Sequence, residues 1–178
     1  MEEKINRQEL GFEVAFKVVN GEKKELWNVV KMPHYSTKHS AGADLYTCED
    51  VVVPSHIKRY MDSLGSEGHV SDKPTINHTG IKLRMGPEFK AYILARSSTA
   101  RKYGLMLSNN VGLIDADYYG CDETDGEVSF SVYNMGYEDV TIPAGTPIGQ
   151  IVFGKYYRPD DADVLDVERK GGYGSTNR

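Results

Sequence analysis

The sequence predicts an all-β fold of jelly-roll or barrel type with at most one or two short helices, on three observations. Eighteen glycines and 7 prolines in 178 residues cut the chain into short segments. Most of those segments are rich in β-branched and aromatic residues and are bounded by Gly, Pro, Asn or Asp, the composition of strands. Stretches with a helical period are few and brief, and many short strands at this spacing suit a closed or double-layered sheet. A chain of 178 residues supplies one domain with a real core, but not two.

Phe12, Val14, Phe16 and Val18 alternate with other residues, the period of a half-buried strand. Asn20-Gly21 follows. Both residues tolerate positive φ, so a type I′ turn should reverse the chain into a return strand over 25–32, ELWNVVKM. Further strands are predicted over 51–54, 80–85, 90–97, 105–109, 127–134, 139–145 and 148–157. HIKRYMDSL (56–64) carries Ile57, Tyr60, Met61 and Leu64 at helical spacing, and STARKYG (98–104) forms one or two turns capped by a serine. Between them, 65–79 is polar and full of breakers and reads as a loop or flap.

The formal net charge is −5, so no basic excess suits a nucleic-acid backbone, although a few placed arginines could still hold a small polyanion. Cys48 and Cys121 lie far apart in neither metal nor redox spacing and read as small buried side chains. The five histidines show no ligand spacing. The N-terminus lacks the pattern of a signal peptide and no apolar run approaches bilayer length, so the chain reads as cytoplasmic with no membrane partner.

Chemistry concentrates in four places. In GLIDADYYG (112–120) a straight strand would put Asp115 and Asp117 on one face and Tyr118 on the other. Gly112 and Gly120 allow a bend or a close backbone approach, which could turn a carboxylate and a tyrosine into a shared pocket. Taken alone, the stretch is equally an exposed turn with solvated aspartates. Arg96, Ser97 and Ser98 stand at a strand-to-helix junction where N–H groups, hydroxyls and a guanidinium could converge on phosphate oxygens, or simply cap the helix. The tail ERKGGYGSTNR can wrap an anion and stack a ring on a base, or can be a plain solvated end. Gln150, in the apolar strand IGQIVF, needs a polar partner.

In order along the chain, AGADL (41–45), ARSS (95–98), GLIDADYYG (112–120), GTPIGQIVF (145–153) and RKGGYGSTN (169–177) resemble the five motifs of the homotrimeric deoxyuridine triphosphatases (dUTPases). The resemblance covers roughly 25–178 and is most specific in the third and fifth motifs. It implies a trimer that hydrolyses dUTP to dUMP and pyrophosphate by water attack on the α-phosphorus, limiting uracil in DNA and supplying dUMP for thymidylate synthesis. By that resemblance Asp115 is the catalytic aspartate, and Tyr118 packs under the deoxyribose to exclude a 2′-hydroxyl. Asn109, the backbone of Gly112, Leu113 and Ile114, and Ser129 read the uracil edge. Arg96, Ser97, Ser98 and Gln150 hold phosphates, and Arg169 clamps the terminal ones. Tyr173 stacks on uracil within an arm that includes Gly174, Ser175 and Thr176. Mg²⁺ is implied, bound mainly by substrate phosphates with Asp44 near its water shell. Asp117 has no catalytic role in this reading and is expected to hold the hairpin.

The same comparison divides the chain into an extension (1–24) forming part of a hairpin, a β domain (25–157) with an insertion at about 55–74, and a mobile C-terminal arm (158–178). The fifth motif is one residue shorter than the common pattern before its glycine pair, so Lys170 could share the work of Arg169. Pro147 stands where a basic residue is usual, and CDETDG (121–126) lengthens a hairpin. Two rivals stand beside this reading. dCTP deaminase shares the fold and the Arg-Ser-Ser element, but matches GLIDADYYG less well. A regulatory protein would keep the pocket as a switch and use 55–79 as its protein-partner surface.

Overall fold

The computed structural model describes residues 10–27, 29–64, 73–163, 169, 171 and 172. Two four-stranded antiparallel sheets form the core. The first contains β1 (Leu10–Val14), β6 (Thr75–Met85), β10 (Glu127–Asn134) and β8 (Leu105–Leu107), in that spatial order. The second orders β4 (Ala43–Tyr46), β12 (Pro147–Lys155), β7 (Phe89–Ala95) and β9 (Gly112–Asp115), which leaves β9 as a free edge. Two small ribbons complete the strands: β2 (Phe16–Val19) with β3 (Glu22–Leu26), and β5 (Val51–Val53) with β11 (Val140–Ile142).

Alternation builds the core. Val128, Phe130 and Val132 on β10 point inward and join Ile81, Leu83, Leu45, Ala91, Ile93 and Ile151 in one cluster fed by both sheets. Packing there is close enough to require a glycine: a Cβ on Gly149 would lie 1.8 Å from the Phe130 ring.

The first segments depart from the sequence expectation. A single strand from 12 to 18 does not form, because Ala15 is fully buried and its N–H donates to the Gly80 carbonyl at 2.9 Å. β1 therefore pairs with β6, and the chain turns off into the β2–β3 ribbon. The Asn20-Gly21 turn forms with φ of 54° and 77°, but the return strand is Glu22–Leu26, not 25–32. Thr75–Thr79, expected in a loop, are the first half of β6, held by pairing with β10.

The first helix, α1 (His56–Ser63), forms as predicted, with Ser55 accepting from the Lys58 N–H at 3.0 Å. Its apolar stripe is not buried: Ile57, Tyr60, Met61 and Leu64 all remain exposed. The second helix, α2 (Ser97–Tyr103), is not capped by a serine; Arg96 is its N-cap residue and makes no side-chain capping bond. Residues 65–72 of the insertion and 164–168 of the arm lie outside the described residues. No helix among the described residues is long and apolar enough to cross a membrane.

CDETDG does more than lengthen a hairpin. It presents Asp125 in the left-handed region (φ 55°), fully buried. Asp125 accepts from the Phe16 N–H at 3.0 Å and pairs with Lys82 at 3.0 Å and Lys23 at 2.5 Å. One carboxylate thus ties the N-terminal ribbon to β6.

Candidate active site

A pocket of about 200 Å³ lies between the free edge of β9 and the inner strand β10. Its apolar floor is Ile93, Leu107 and Val128; Asn109, Ser129 and Ser131 supply polar groups around it. The backbone of Gly112, Leu113 and Ile114 forms one wall. Because β7 satisfies only one edge of β9, the other edge offers alternating N–H and C=O groups. Gly112 fits where β9 crosses β7, since a Cβ there would sit 3.0 Å from the Ile93 Cβ.

Tyr118 closes the pocket. β9 ends at Asp115, and a 3₁₀ turn over Ala116–Tyr118 rotates the tyrosine inward, where it is buried. Its hydroxyl donates to the Glu127 carbonyl at 2.9 Å and accepts from Thr124 Oγ1 at 3.0 Å, fixing the ring.

That turn also brings both aspartates to one cation. A single guanidinium nitrogen of Arg169 donates to Asp115 Oδ2 at 2.7 Å and to Asp117 Oδ1 at 3.1 Å. The Arg169 Nε donates to the Gly171 carbonyl at 2.9 Å, and the guanidinium lies 5.3 Å from the Tyr118 ring centroid. Burial alone would lower the Arg169 pKa, but the bonds to Asp115 and Asp117 more than reverse this and raise it. Gly172 packs against the Tyr118 ring, with room for a Cβ only at 3.0 Å. The expectation that Asp117 holds the hairpin is corrected: its bonded partner is Arg169, and the turn rests instead on Tyr118 and Thr124.

Glu127 is a buried carboxylate that sequence reasoning missed. Its Oε1 accepts from the Thr79 and Gly80 N–H groups at 2.7 and 3.1 Å, and its Oε2 accepts from His78 Nδ1 at 3.0 Å. His78 stacks on Trp27 with centroids 4.6 Å apart. Burial would lower the His78 pKa, but the hydrogen bond and charge of Glu127 outweigh it, and the value is raised. A glutamate opening an apolar strand was the one available signal.

A second polar cluster gathers elsewhere. Arg96 Nε donates to Asp44 Oδ1 at 2.9 Å, and its Nη1 donates to the Pro147 carbonyl at 3.2 Å and to Ser98 Oγ at 3.4 Å. Ser36 Oγ donates to Asp44 Oδ2 at 2.8 Å. Gln150 faces Asp44 across the β4–β12 ladder and packs over Gly42, whose Cβ would meet its Oε1 at 2.6 Å. None of Arg96, Ser97, Ser98 and Gln150 lines the pocket. The structure therefore brings together Asn109, Gly112, Leu113, Ile114, Tyr118, Ser129 and Arg169, with Asp115 beside them, and separately Asp44, Arg96, Ser98 and Gln150. Tyr173, Gly174, Ser175, Thr176 and Lys170 lie outside the described residues.

The family model for dUTPase matches residues 28–176. A deoxyuridine 5′-triphosphate nucleotidohydrolase from Lactococcus lactis is 34% identical over 168 residues, covering 93% of this chain and 96% of that protein. One from Rickettsia massiliae is 34% identical over 82% of this chain and 87% of its own length. A dUTPase crystal structure from Streptococcus mutans aligns with TM-score 0.63 at 29% identity, covering 84% of this chain and 98% of that one. A phage phi11 dUTPase of S. aureus, in a structure concerned with a structural Mg(II) ion, shares the fold at TM-score 0.58 and 16% identity over 90% of this chain and 99% of that one.

Proposed function

The chain belongs to the dUTPase family, and from that membership we propose that it hydrolyses dUTP to dUMP and pyrophosphate at the pocket beneath Tyr118. The observation that carries the reading is a fixed tyrosine and an unpaired strand edge at one pocket, with Asp115 bonded at its rim to the pocket residue Arg169.

Uracil presents an acceptor, a donor and an acceptor in sequence. The free edge of β9, with Asn109 and Ser129, offers fixed groups to answer that pattern. Cytosine reverses part of it and would leave buried polar groups unpaired, a heavier cost than a lost apolar contact. Thymine is rejected by its methyl group. The Tyr118 ring cannot retreat, because its hydroxyl is tied at both lone pair and proton, so a 2′-hydroxyl has no space.

Asp115 orients a water and accepts its proton as the water attacks the α-phosphorus. Arg169 and the Arg96, Ser97, Ser98 and Gln150 cluster take the phosphates, and the arm residue Tyr173 stacks on the base. Mg²⁺ fits this donor set as a phosphate-bound ion. Each Asp44 oxygen has one hydrogen bond and a lone pair to spare, which suits contact through water. When bound, Mg²⁺ would offset charge on the phosphate oxygens, with Asp44 holding its water shell.

A homotrimer completes the site. Arg96 bonds Asp44 away from the pocket of its own chain, which supports its serving a neighbour's pocket. The arm (158–178) brings Arg169 beside Asp115, and the insertion (55–74) presents the exposed face of α1. The deciding experiment is a product assay with each nucleoside triphosphate in turn, with Asp115→Asn as control. Turnover of dUTP alone, lost in the variant while nucleotide binding persists, supports the reading. Ammonia released from dCTP, or an unimpaired Asp115→Asn enzyme, overturns it.

A further inference from the structure

The Tyr118 hydroxyl is gripped by a turn, and the turn is itself gripped from a distant part of the chain. Thr124 Oγ1 donates to that hydroxyl at 3.0 Å, and the Glu127 carbonyl accepts from it at 2.9 Å. The Glu127 N–H donates to the Thr124 carbonyl at 3.0 Å, so both ends of the grip belong to one turn. It closes directly on the tyrosine: a Cβ on Gly126 would lie 2.6 Å from the Tyr118 carbonyl oxygen. Within the turn, Asp125 is fully buried and takes the Phe16 N–H, Lys23 and Lys82 on its carboxylate. Phe16 and Lys23 belong to the β2–β3 ribbon. A parallel tie joins the Tyr119 hydroxyl, as donor, to Glu13 Oε2 at 2.6 Å.

A buried carboxylate with these donors has little freedom, because any shift leaves charge uncompensated. Thr124 is its neighbour in the chain and is held with it. We infer that Asp125 is a positioning residue for sugar selectivity: anchored by the N-terminal ribbon and β6, it fixes the turn through which Thr124 keeps the Tyr118 ring from yielding to a 2′-hydroxyl. This rests on the nucleotide reading of the pocket. The N-terminal ribbon thereby acts on substrate choice while supplying none of the residues described at the pocket.

The test is the ratio of kcat/KM for UTP to that for dUTP, measured on the intact protein with both nucleotides in competition. A merely structural role does not move this ratio, because a smaller folded fraction lowers both rates alike. Asp125→Asn, assayed where circular dichroism shows it folded, should raise the ratio about two- to threefold. That is the lower part of the range for one hydrogen bond, since the Glu127 carbonyl still holds the ring. Thr124→Val should raise it by a similar factor, and Thr124→Ser should keep the wild-type value. Asp125→Asn combined with Tyr118→Phe should match Tyr118→Phe alone, because the hydroxyl through which the turn acts is gone. Should Asp125→Asn fail to fold, Lys23→Gln stands in for it, removing a half-exposed cation from the same carboxylate and leaving Lys82 in place. An unchanged ratio in the folded Asp125→Asn protein, or in its stand-in, overturns the inference. So does a rise that persists undiminished beside Tyr118→Phe, which general loosening would give. A wild type that turns over neither nucleotide overturns the nucleotide reading itself, and shows this before any variant is compared.

Discussion

Asp115 and Arg96 lie toward opposite ends of one ladder: Asp115 pairs with Lys90 on β7, and Arg96 follows β7's last residue, Ala95. At the rise of an extended chain the backbones of Lys90 and Arg96 are about 20 Å apart, and Arg96 bonds Asp44 rather than lining the pocket. In the trimer proposed above, Arg96 serves a neighbour's pocket and each site draws on two chains. Mixing Asp115→Asn chains with Arg96→Ala chains, each nearly inactive alone, should restore activity as mixed trimers form. Sedimentation of the wild type should give the mass of three chains. Failure to complement in trimers shown to be mixed would place both residues at one chain's site.

Tyr118 is held by hydrogen bonds to Glu127 and Thr124, so its rejection of ribose depends on a ring that cannot move. Tyr118→Phe keeps the ring but frees it. It should raise kcat/KM for UTP slightly, whereas Tyr118→Ala should raise it at least tenfold relative to dUTP, about 1.4 kcal/mol of discrimination. Competition kinetics with UTP and dUTP measure the ratio. An unchanged ratio in Tyr118→Ala would remove the tyrosine as the gate.

Most of the strand ladder was legible because alternation and turn residues act locally. EVSFSVYN became β10 residue for residue, and Asn-Gly made its predicted turn. What escaped depends on partners distant in sequence. The break at Ala15 is set by Gly80, and the extended Thr75–Thr79 segment by β10. Asp125 and Glu127 look like solvated charges beside a turn, and only the fold reveals the lysines and N–H groups waiting for them. The apolar stripe on α1 was read correctly as a helix, but its period alone does not say whether anything covers it. At the site, GLIDADYYG pointed to the pocket, while the contact of Asp117 with Arg169 was missed because the two lie 52 residues apart.

Asp125→Asn tests the buried tie between ribbon and sheet. Asparagine tolerates the same left-handed backbone, so the change isolates charge. It leaves Lys82 buried and Lys23 half-exposed without their anion, which should cost about 3 kcal/mol of stability. Burial alone would raise the Asp125 pKa; the bonds from Lys23, the Phe16 N–H and Lys82 lower it. Its contribution is therefore present above the unfolded carboxyl pKa and lost as pH falls through the folded value. Denaturant titration of wild type and variant at neutral and strongly acid pH should show the difference shrinking in acid.

The His78–Glu127 pair runs the other way. The folded His78 pKa is raised, so its stabilisation is fully present below the unfolded imidazole pKa and is lost as pH rises through the folded value. His78→Asn should lower the melting temperature more at about pH 5.5 than at about pH 9. A pH-independent difference would show that His78 acts through its stacking on Trp27 alone.

The central claim is water attack at the α-phosphorus with Asp115 as the base. Turnover of dUTP in ¹⁸O-labelled water, followed by mass spectrometry of both products, tests it most directly. The account predicts the label in the dUMP phosphate, unlabelled pyrophosphate, and no labelled product from Asp115→Asn. Label in pyrophosphate would place the attack at the β-phosphorus and contradict the account.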